Sequence, residues 1–287
     1  MNGDDMDGFL YVDKPVGMTS HDVVAIVKKK LKLDKVGHTG TLDPFASGLM
    51  ILCVGKATKL AYLFSNCDKT YTGTMQFGVH YDTYDVTGKL LETLDRPMDF
   101  NEVENAVKSM VGSYMQLPPM HSAIKKDGQK LYELARKGMD IEREKREVHI
   151  RSFEITSELI RNSIDFSVSV SKGTYIRSLA VDLAEKMNHI AALSALRRTK
   201  VCDISVLDAH QLDDIKLEDI MTLTNYFKDF PQVLLNNYLI NLVKNGVYLD
   251  ERQIETENPF IVVNEKGDFI AYYEVIEPNK YKPIIVF

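Results

Sequence analysis

The order of apolar and polar residues in the first part of the chain predicts a strand followed by a helix. Residues 9–12 are apolar and precede a turn containing Pro15 and Gly17, which indicates a short strand. Beyond the turn, Thr19 or Ser20 can cap a helix whose apolar residues recur at every fourth position. These residues are Val23, Val27 and Leu31. One face of the helix is therefore available to a core.

The same periodicities predict a second helix and two further strands. Asn101 is expected to begin a helix that ends at Gly112. Its inward positions are Val103, Val107 and Met110. Residues 71–79 and 164–170 predict strands, and the second alternates apolar with polar residues. Helices and strands mix without a regular βαβ order, so we predict an α+β fold with a mixed, mainly antiparallel sheet.

The segment 117–148 differs from its surroundings because it is basic and contains Pro118 and Pro119. A short helix is predicted within it at residues 131–136. Long segments of this kind inside compact domains are usually functional. We therefore interpret the segment as an arm that reaches a binding partner.

The chain changes character near residue 208. We expect a catalytic domain over 1–208, a linker or helical segment over 209–235 and a small β module over 236–287. The strands predicted in the module are 260–263, 269–275 and 283–287. So short a module has little core of its own and should pack against the main domain.

The charge of the chain is unevenly distributed. A net charge of −6 disfavours a nucleic acid partner, because affinity for phosphates comes from Lys and Arg. However, residues 1–200 carry 28 basic and 26 acidic side chains, whereas residues 201–287 carry 7 and 15. Basic residues cluster at 28–30, 125–151 and 197–200. These clusters indicate a surface for RNA, although a solvated charged face is the simpler account of charge runs alone.

Several protein classes lack support in the sequence. No apolar stretch approaches the roughly 20 residues that cross a bilayer, and no signal-peptide pattern begins the chain, so we expect a cytoplasmic protein. Cys53, Cys67 and Cys202 are far apart, and each is expected to be a small buried apolar residue. Motifs of P-loop NTPases, dinucleotide-binding enzymes, zinc proteases and zinc deaminases are absent.

Residues 37–48 form a compact loop, with three glycines and one proline in twelve positions. Pro44 biases Asp43 away from the helical region, and an Asp before Pro suits the first position of a turn. The carboxylate of Asp43 would then lie at the mouth of the apolar strand 49–54. An ordinary Asx-turn is the simpler account of these residues taken by themselves.

The run GHTGTLDPFASGLMILCVGKATK from residue 37 nevertheless resembles the active-site motif of the TruB family of pseudouridine synthases. Further matches occur in the family's order at residues 8–20, 67–73, 78–88, 117–138, 171–185 and 195–201. The C-terminal module more weakly resembles a reduced PUA-type RNA-binding module. The resemblance implies a pseudouridine synthase fold and the isomerisation of uridine 55 in the T loop of tRNA.

Carried over residue by residue, the resemblance implies that Asp43 is the catalytic aspartate, Tyr71 the active-site tyrosine and Arg177 the partner of the aspartate. It implies no metal and no cofactor. A carboxylate can act as a nucleophile, a guanidinium can keep it ionised, and a phenol can stack on uracil and accept the C5 proton. Whether Asp43 adds to the nucleoside or removes the C2′ proton stays open. Without the resemblance, a surface ion pair for Arg177 and a core position for Tyr71 are simpler.

The resemblance also implies contacts between a monomeric protein and the T arm of tRNA. His38 is expected to enter the RNA loop and to help hold the extruded base. The other expected contacts are Thr39, Gly40, Lys14, Lys69, Lys125, Lys126, Lys130, Arg136, Lys172, Arg197 and Arg198. Two alternatives stay open: an RNA-folding chaperone that has kept the catalytic pattern, and a synthase that acts on another RNA.

Overall fold

A computed structural model describes residues 6–122, 124–126, 128–135, 137–139 and 141–287 of the chain, and the backbone alone of Lys125, Lys126, Lys130 and Tyr132. The strands in this part are β1 (Gly8–Lys14), β2 (Val36–His38), β3 (Ser47–Val54), β4 (Lys69–Phe77), β5 (Val79–Tyr81), β6 (Leu90–Thr93), β7 (Gly112–Gln116), β8 (Lys125–Lys126), β9 (Gln129–Lys130), β10 (Arg146–Ile155), β11 (Ser163–Val170), β12 (Ala191–Val201), β13 (Ile204–Ser205), β14 (His210–Gln211), β15 (Met221–Thr222), β16 (Gln232–Leu234), β17 (Leu249–Asp250), β18 (Phe260–Val263), β19 (Phe269–Glu277) and β20 (Lys280–Val286). The α-helices are α1 (Ser20–Leu31), α2 (Tyr62–Ser65), α3 (Phe100–Ser109), α4 (Leu131–Ala135), α5 (Ile176–Lys186), α6 (Leu223–Tyr226) and α7 (Asn237–Lys244). Within the described ranges, no helix combines the length and the apolar character that a membrane span needs.

The large sheet is mixed and mainly antiparallel, as the sequence predicted. Its strands lie in the order β14-β1-β3-β12-β4-β11-β10-β7, and β2, β13 and β15 pair at its margins. Parallel pairing occurs where β14 meets β1 and where β12 meets β3. β5 pairs with β6, and β8 with β9, as separate hairpins. The predicted α+β fold class is confirmed.

Strands β1 and β3 are apolar over residues 9–12 and 49–54 because both faces of the sheet are covered where they lie. Successive residues of β3 point to opposite faces, so Leu49, Ile51 and Cys53 join one core cluster and Met50, Leu52 and Val54 join another. The second cluster contains the inward residues of α1. The first cluster contains residues of the C-terminal sheet, such as Tyr272.

Local signals place the helices and several strand ends. Thr19 caps α1 through a capping box with Asp22, as the sequence indicated. The cap of α3 is Asp99, so the predicted start at Asn101 is two residues late. β4 lies two residues earlier than predicted because Gly78, at φ +86°, ends the strand. The buried positions of β11 alternate as predicted.

The C-terminal strands form a five-stranded sheet in the order β16-β18-β19-β20-β17. One face of this sheet belongs to the core cluster shared with β1 and β3. The opposite face packs with α7 in a small core that includes Val243, Phe260 and Tyr273. The expected packing against the main domain is confirmed by the shared core cluster and by Glu274, which accepts hydrogen bonds from Tyr62 and Tyr272. The segment 209–235 gives β14 and β15 to the large sheet and β16 to the C-terminal sheet.

The expectation for two of the cysteines is wrong. Cys67 and Cys202 form a disulfide that joins the start of β4 to the end of β12, with their Cα atoms 5.1 Å apart. Sequence spacing gave no sign of it, because 135 positions separate the two residues and pairing of β4 with β12 brings them together. Cys53 is a free, fully buried residue, as expected.

Candidate active site

The loop between β2 and β3 is held on one side by the first turn of α1. The Ser20 hydroxyl accepts from the backbone N–H of Leu42 at 2.9 Å and donates to its carbonyl at 3.1 Å. Gly17 donates to the carbonyl of Pro44 at 2.7 Å. Asp43 therefore lies between two positions whose backbone is fixed by the preceding strand-to-helix turn.

Arg198, on β12, holds the same loop from below. Its side chain donates to the carbonyls of Leu49, Gly40 and Thr41 at 2.7, 3.2 and 3.4 Å. Only 2% of Arg198 is exposed. The contact is possible because Gly48 faces Arg198 across the parallel pair, and a Cβ at Gly48 would lie 2.3 Å from the Arg198 carbonyl oxygen.

Asp43 and Arg177 form a two-point ion pair. Nε of Arg177 lies 2.8 Å from Oδ2 of Asp43, and Nη2 lies 3.1 Å from Oδ1. The remaining donors of the guanidinium bind the carbonyls of Thr83 at 2.9 Å and His121 at 2.8 Å, and Asp85 lies 3.8 Å away. Such paired hydrogen bonds fix both groups in one plane. The expectation that Arg177 pairs with Asp43 is thus met by the geometry.

The carboxylate of Asp43 is set deep in the fold but stays reachable. A third of its side-chain surface (34%) faces cavities, whereas Arg177 is 4% exposed. Burial raises the pKa of Asp43, Arg177 opposes that rise, and the charge of Asp85 adds to it. The net direction is upward, because the cavity walls hold bulk water away from the carboxylate.

Asp43, Arg177 and Tyr175 lie between two cavities. The smaller, of about 190 Å³, is lined further by Tyr71, Lys69 and other residues of β4, β11 and β12. The larger, of about 560 Å³, extends toward the first turn of α1 and includes Asp85. Tyr71 is 7% exposed and belongs to the main core cluster while it lines the smaller cavity. A flat ring is therefore fixed beside the ion pair.

Two of the basic residues expected to contact RNA, Lys14 and Arg198, are buried, and Arg198 lines the smaller cavity. Lys14 is fully buried, and its Nζ donates to the carbonyls of Pro15 and Met18 at 2.9 and 2.7 Å. Burial lowers the pKa of Lys14 to about 8. Arg198 binds the Asp43 loop, as described above. In both cases backbone carbonyls take the place of water around the buried cation. Lys14 thereby fixes the turn before α1, and Arg198 fixes the Asp43 loop.

Other expected contacts lie nearer the surface. Arg197 is half-buried and forms a two-point pair with Asp13 at 2.9 and 2.7 Å. Lys69 lines the smaller cavity, donates to the carbonyls of Ser65 and Cys67, and has its pKa lowered to about 8 by burial. Lys172 is exposed and donates to the side chain of Asn66 at 3.0 Å.

His38 is half-buried on β2, and its ring meets that of His21 edge to face at 5.7 Å. Burial, followed by the neighbouring His21, lowers the pKa of His38. Thr39 is buried, and Gly40 lies against Arg198. The side chains of Lys125, Lys126 and Lys130, and all of Arg136, lie outside the described residues.

Three residues of the site were not assigned from the sequence. Asp85 and Tyr175 fall inside motifs that the resemblance covers, at 78–88 and 171–185, and that signal could have found them. His21 lines the larger cavity and carries no local signal beyond its place in the first turn of α1.

The sequence is similar to known proteins over nearly its whole length. The family model described as TruB family pseudouridylate synthase (N terminal domain) matches residues 28–176. The chain is 50% identical to the tRNA pseudouridine synthase B of Onion yellows phytoplasma (strain OY-M), over 98% of this chain and 100% of that protein. It is 47% identical to the protein of that name from Acholeplasma laidlawii (strain PG-8A), over 96% and 98%. The same name belongs to a Bacillus subtilis (strain 168) relative, 37% identical over 93% of each chain.

Among solved structures, a chain of "Crystal Structure of a Cbf5-Nop10-Gar1 Complex" aligns with a TM-score of 0.69 and 23% identity. The alignment covers 98% of this chain and 84% of that one. At this identity the likeness concerns the fold, and it extends over both the large sheet and the C-terminal sheet.

Proposed function

The chain belongs to the TruB family of pseudouridylate synthases, and from this premise we propose that it isomerises uridine 55 in the T loop of tRNA with Asp43 as its catalytic carboxylate. The chain is a tRNA pseudouridine synthase, because relatives with that activity in their name are up to 50% identical to it over nearly their whole length. The nucleotide acted on and the residues that act are the proposed parts. We place the reaction in the cytoplasm, on the T arm of the tRNA.

The two-point pair of Asp43 with Arg177 at the junction of two cavities carries the proposal. The isomerisation breaks the bond between C1′ and N1, turns the uracil, and forms a bond between C1′ and C5, while C5 loses its proton and N1 gains one. Asp43 takes part as an anion, either by adding to the nucleoside and leaving again when C5 is joined, or by removing the C2′ proton and returning it. Arg177 keeps it ionised and aimed.

The smaller cavity is the proposed place for the extruded uridine. Tyr71 supplies a flat face for the uracil, and its phenol is the acceptor for the C5 proton. Extrusion from the folded loop costs a few kcal/mol, which stacking on Tyr71 offsets. His21 lines the larger cavity and its ring meets that of His38, and we assign both rings contact with the opened RNA loop.

The decisive experiment measures tritium release from T-arm RNA that carries 5-tritiated uridine. Asp43→Asn and Asp43→Ala should abolish release while the Kd for tRNA stays near that of wild type, because neither change removes a cation. Asp229→Asn, an exposed aspartate in the C-terminal part, is the matched control and should be fully active. Undiminished turnover in either Asp43 variant would refute the role of that carboxylate.

The same variants test the chaperone alternative. Refolding of tRNA should proceed equally with wild type and Asp43→Asn if RNA folding is the main activity. The alternative of another RNA substrate is tested by mapping pseudouridine in a T-arm stem-loop and in other cellular RNA, each treated with purified protein. Modification of the other RNA alone would contradict the proposal.

A further inference from the structure

The side chain of Gln116 binds the start of α5 to the base of the arm. Gln116 is the last residue of β7 and is 1% exposed. Its Oε1 accepts from the backbone N–H of Tyr175 at 2.8 Å, and its Nε2 donates to the carbonyl of Tyr175 at 3.1 Å. We propose that Gln116 is a positioning residue, which fixes the turn from which Arg177 reaches Asp43. The inference rests on the proposed function.

Helix α5 lacks a cap of its own. Tyr175 occupies the N-cap position and makes no side-chain cap hydrogen bond, whereas Thr19, Asp99 and Asn236 cap α1, α3 and α7. An uncapped first turn leaves backbone donors without partners and frays readily. Gln116 binds both backbone groups of the N-cap residue from a neighbouring strand. It thereby fixes the N-cap residue of α5 from outside the helix, whereas the caps of α1, α3 and α7 accept from N–H groups of the first turn.

The first turn of α5 contains Arg177, the second residue of the helix. A movement of this turn therefore moves the guanidinium away from the Asp43 carboxylate. Tyr175 itself lines both cavities, so its backbone position also shapes the walls around the ion pair. Displacements of about 1 Å at such a site lower the rate by about 100-fold.

Gln116 is in turn held by a partly buried chain of hydrogen bonds. Its Nε2 donates to the phenol oxygen of Tyr114 at 2.6 Å, and that phenol donates to Asp182 at 2.9 Å, five residues further along α5 than Arg177. Tyr175 binds the carboxamide directly and Asp182 binds it through Tyr114. This network is separate from the ion pair and contacts no atom of the reacting carboxylate.

The residues after Gln116 continue the connection to α5. The carbonyl of Leu117 accepts from the hydroxyl of Ser178 at 2.8 Å, and the carbonyl of His121 accepts from Nη2 of Arg177 at 2.8 Å. These hydrogen bonds join the base of the arm to the first turn of α5.

The test compares Gln116→Ala and Gln116→Glu with wild type in steady-state tritium release, with T-arm RNA in excess over the protein. For Gln116→Ala we expect kcat to fall about 10- to 100-fold with KM and the Kd for T-arm RNA within about twofold of wild type. Gln116→Glu keeps the acceptor for the Tyr175 N–H and loses the donor, so its loss should be smaller. A rise in Kd with unchanged kcat would overturn the inference.

Asn162→Ala is the matched control for lost stability. Its carboxamide likewise binds two backbone groups, the N–H of Met98 and the carbonyl of Arg96, both at 3.2 Å. Asn162 lies beside Phe77 at the C-terminal end of β4, whereas Tyr71 lies near the start of that strand. Its positive φ of 58° makes alanine costly there. We expect its Tm to fall with kcat unchanged. Equal losses of kcat in both variants at equal Tm would overturn the inference.

A readout without turnover separates this inference from the proposed function. The Nε–H of Arg177 should exchange slowly with solvent in wild type because it is buried and bound to Asp43. The exchange rate, followed by the NMR signal of this N–H, should rise in Gln116→Ala and stay unchanged in Asn162→Ala. Unchanged exchange in Gln116→Ala refutes the positioning role, whereas an inactive wild type with this exchange pattern refutes the proposed function alone.

Discussion

At the scale of single residues, the site is a balance of charges around one carboxylate. Arg177 favours the anion of Asp43, whereas burial and the charge of Asp85 disfavour it. Asp85 is itself buried, 3.8 Å from Arg177, and accepts from the backbone N–H of Thr87 at 3.0 Å. One buried guanidinium thus faces two carboxylates, of which only Asp43 lines both cavities.

This balance predicts the acid side of the pH–rate profile. The pKa of Asp43 in the folded protein is raised above the ordinary aspartate value of 3.8. In the proposed reaction Asp43 acts as the anion. The protonated fraction therefore grows as the pH falls through the raised pKa, and the single-turnover rate should decline there. The measurement is tritium release at fixed ionic strength under single-turnover conditions.

Asp85→Asn is the comparison variant for that profile. Removing the Asp85 charge takes away one cause of the raised pKa, so the acid limb should move to lower pH. The plateau rate should also fall, because Arg177 loses its second carboxylate neighbour. An acid limb that stays in place in Asp85→Asn would contradict this account of the site.

At the scale of elements, the site depends on the close approach of β3 and β12. Gly48 at φ +108° faces Arg198 in the parallel pair, and the Arg198 side chain passes beneath the loop to reach Gly40 and Thr41. A residue with a side chain at position 48 would displace β12 or the loop. The Asp43 loop is therefore positioned by strand pairing as much as by its own turn residues.

Gly48→Ala should destabilise the protein by about 2–4 kcal/mol, from a positive φ and an overpacked contact together. The rate of tritium release should fall as well, because the Asp43 loop shifts. Thermal unfolding and single-turnover rates check both effects. Gly267→Ala is the matched control, since Gly267 has φ +81° and open space around its Cβ position.

The expected cost of Gly267→Ala is that of the backbone alone, about 1 kcal/mol, with unchanged activity. If Gly48→Ala were no more destabilising than Gly267→Ala, the close approach of the two strands would not be what fixes the loop.

At the scale of the whole molecule, charge separates along the chain. Residues 1–200 carry a small positive balance, and the C-terminal residues 201–287 carry the acidic excess. RNA binding is therefore expected to depend on the first part and to be salt-sensitive despite the net charge of −6. Lys172 is an exposed cation beside the smaller cavity, close in sequence to Gly173, which lines it.

Lys172→Ala should weaken binding of T-arm RNA and lower the slope of log K against log salt by about one, as for the loss of one phosphate contact. A salt titration of binding with fluorescent T-arm RNA measures the slope. Lys228→Ala, at an exposed position of the acidic C-terminal part, is the control and should leave it unchanged. Equal slopes in all three proteins would remove Lys172 from the RNA-binding surface.

Local patterns in the sequence determined the elements that frame the site. The four-residue recurrence from Val23 to Leu31 and the cap at Thr19 predicted α1, and the alternation in β11 predicted its buried face. These two predictions were confirmed because helix and strand periods, caps and turns depend on neighbouring residues. The Asp43 loop was found for the same reason, since its glycines and proline act locally, and the family resemblance supplied its chemistry.

Only the tertiary structure decided which distant residues meet. Gln116 and Tyr175 are 59 positions apart, and Cys67 and Cys202 are 135 apart, and neither pairing was predicted. The pairing of Asp43 with Arg177, 134 positions apart, came from the family resemblance and not from local pattern. Lys14 and Arg198 were expected to contact RNA, and folding buries both against backbone carbonyls. Burial and long-range pairing arise from how strands and helices pack, and a basic residue carries no local mark of whether carbonyls or water will surround it.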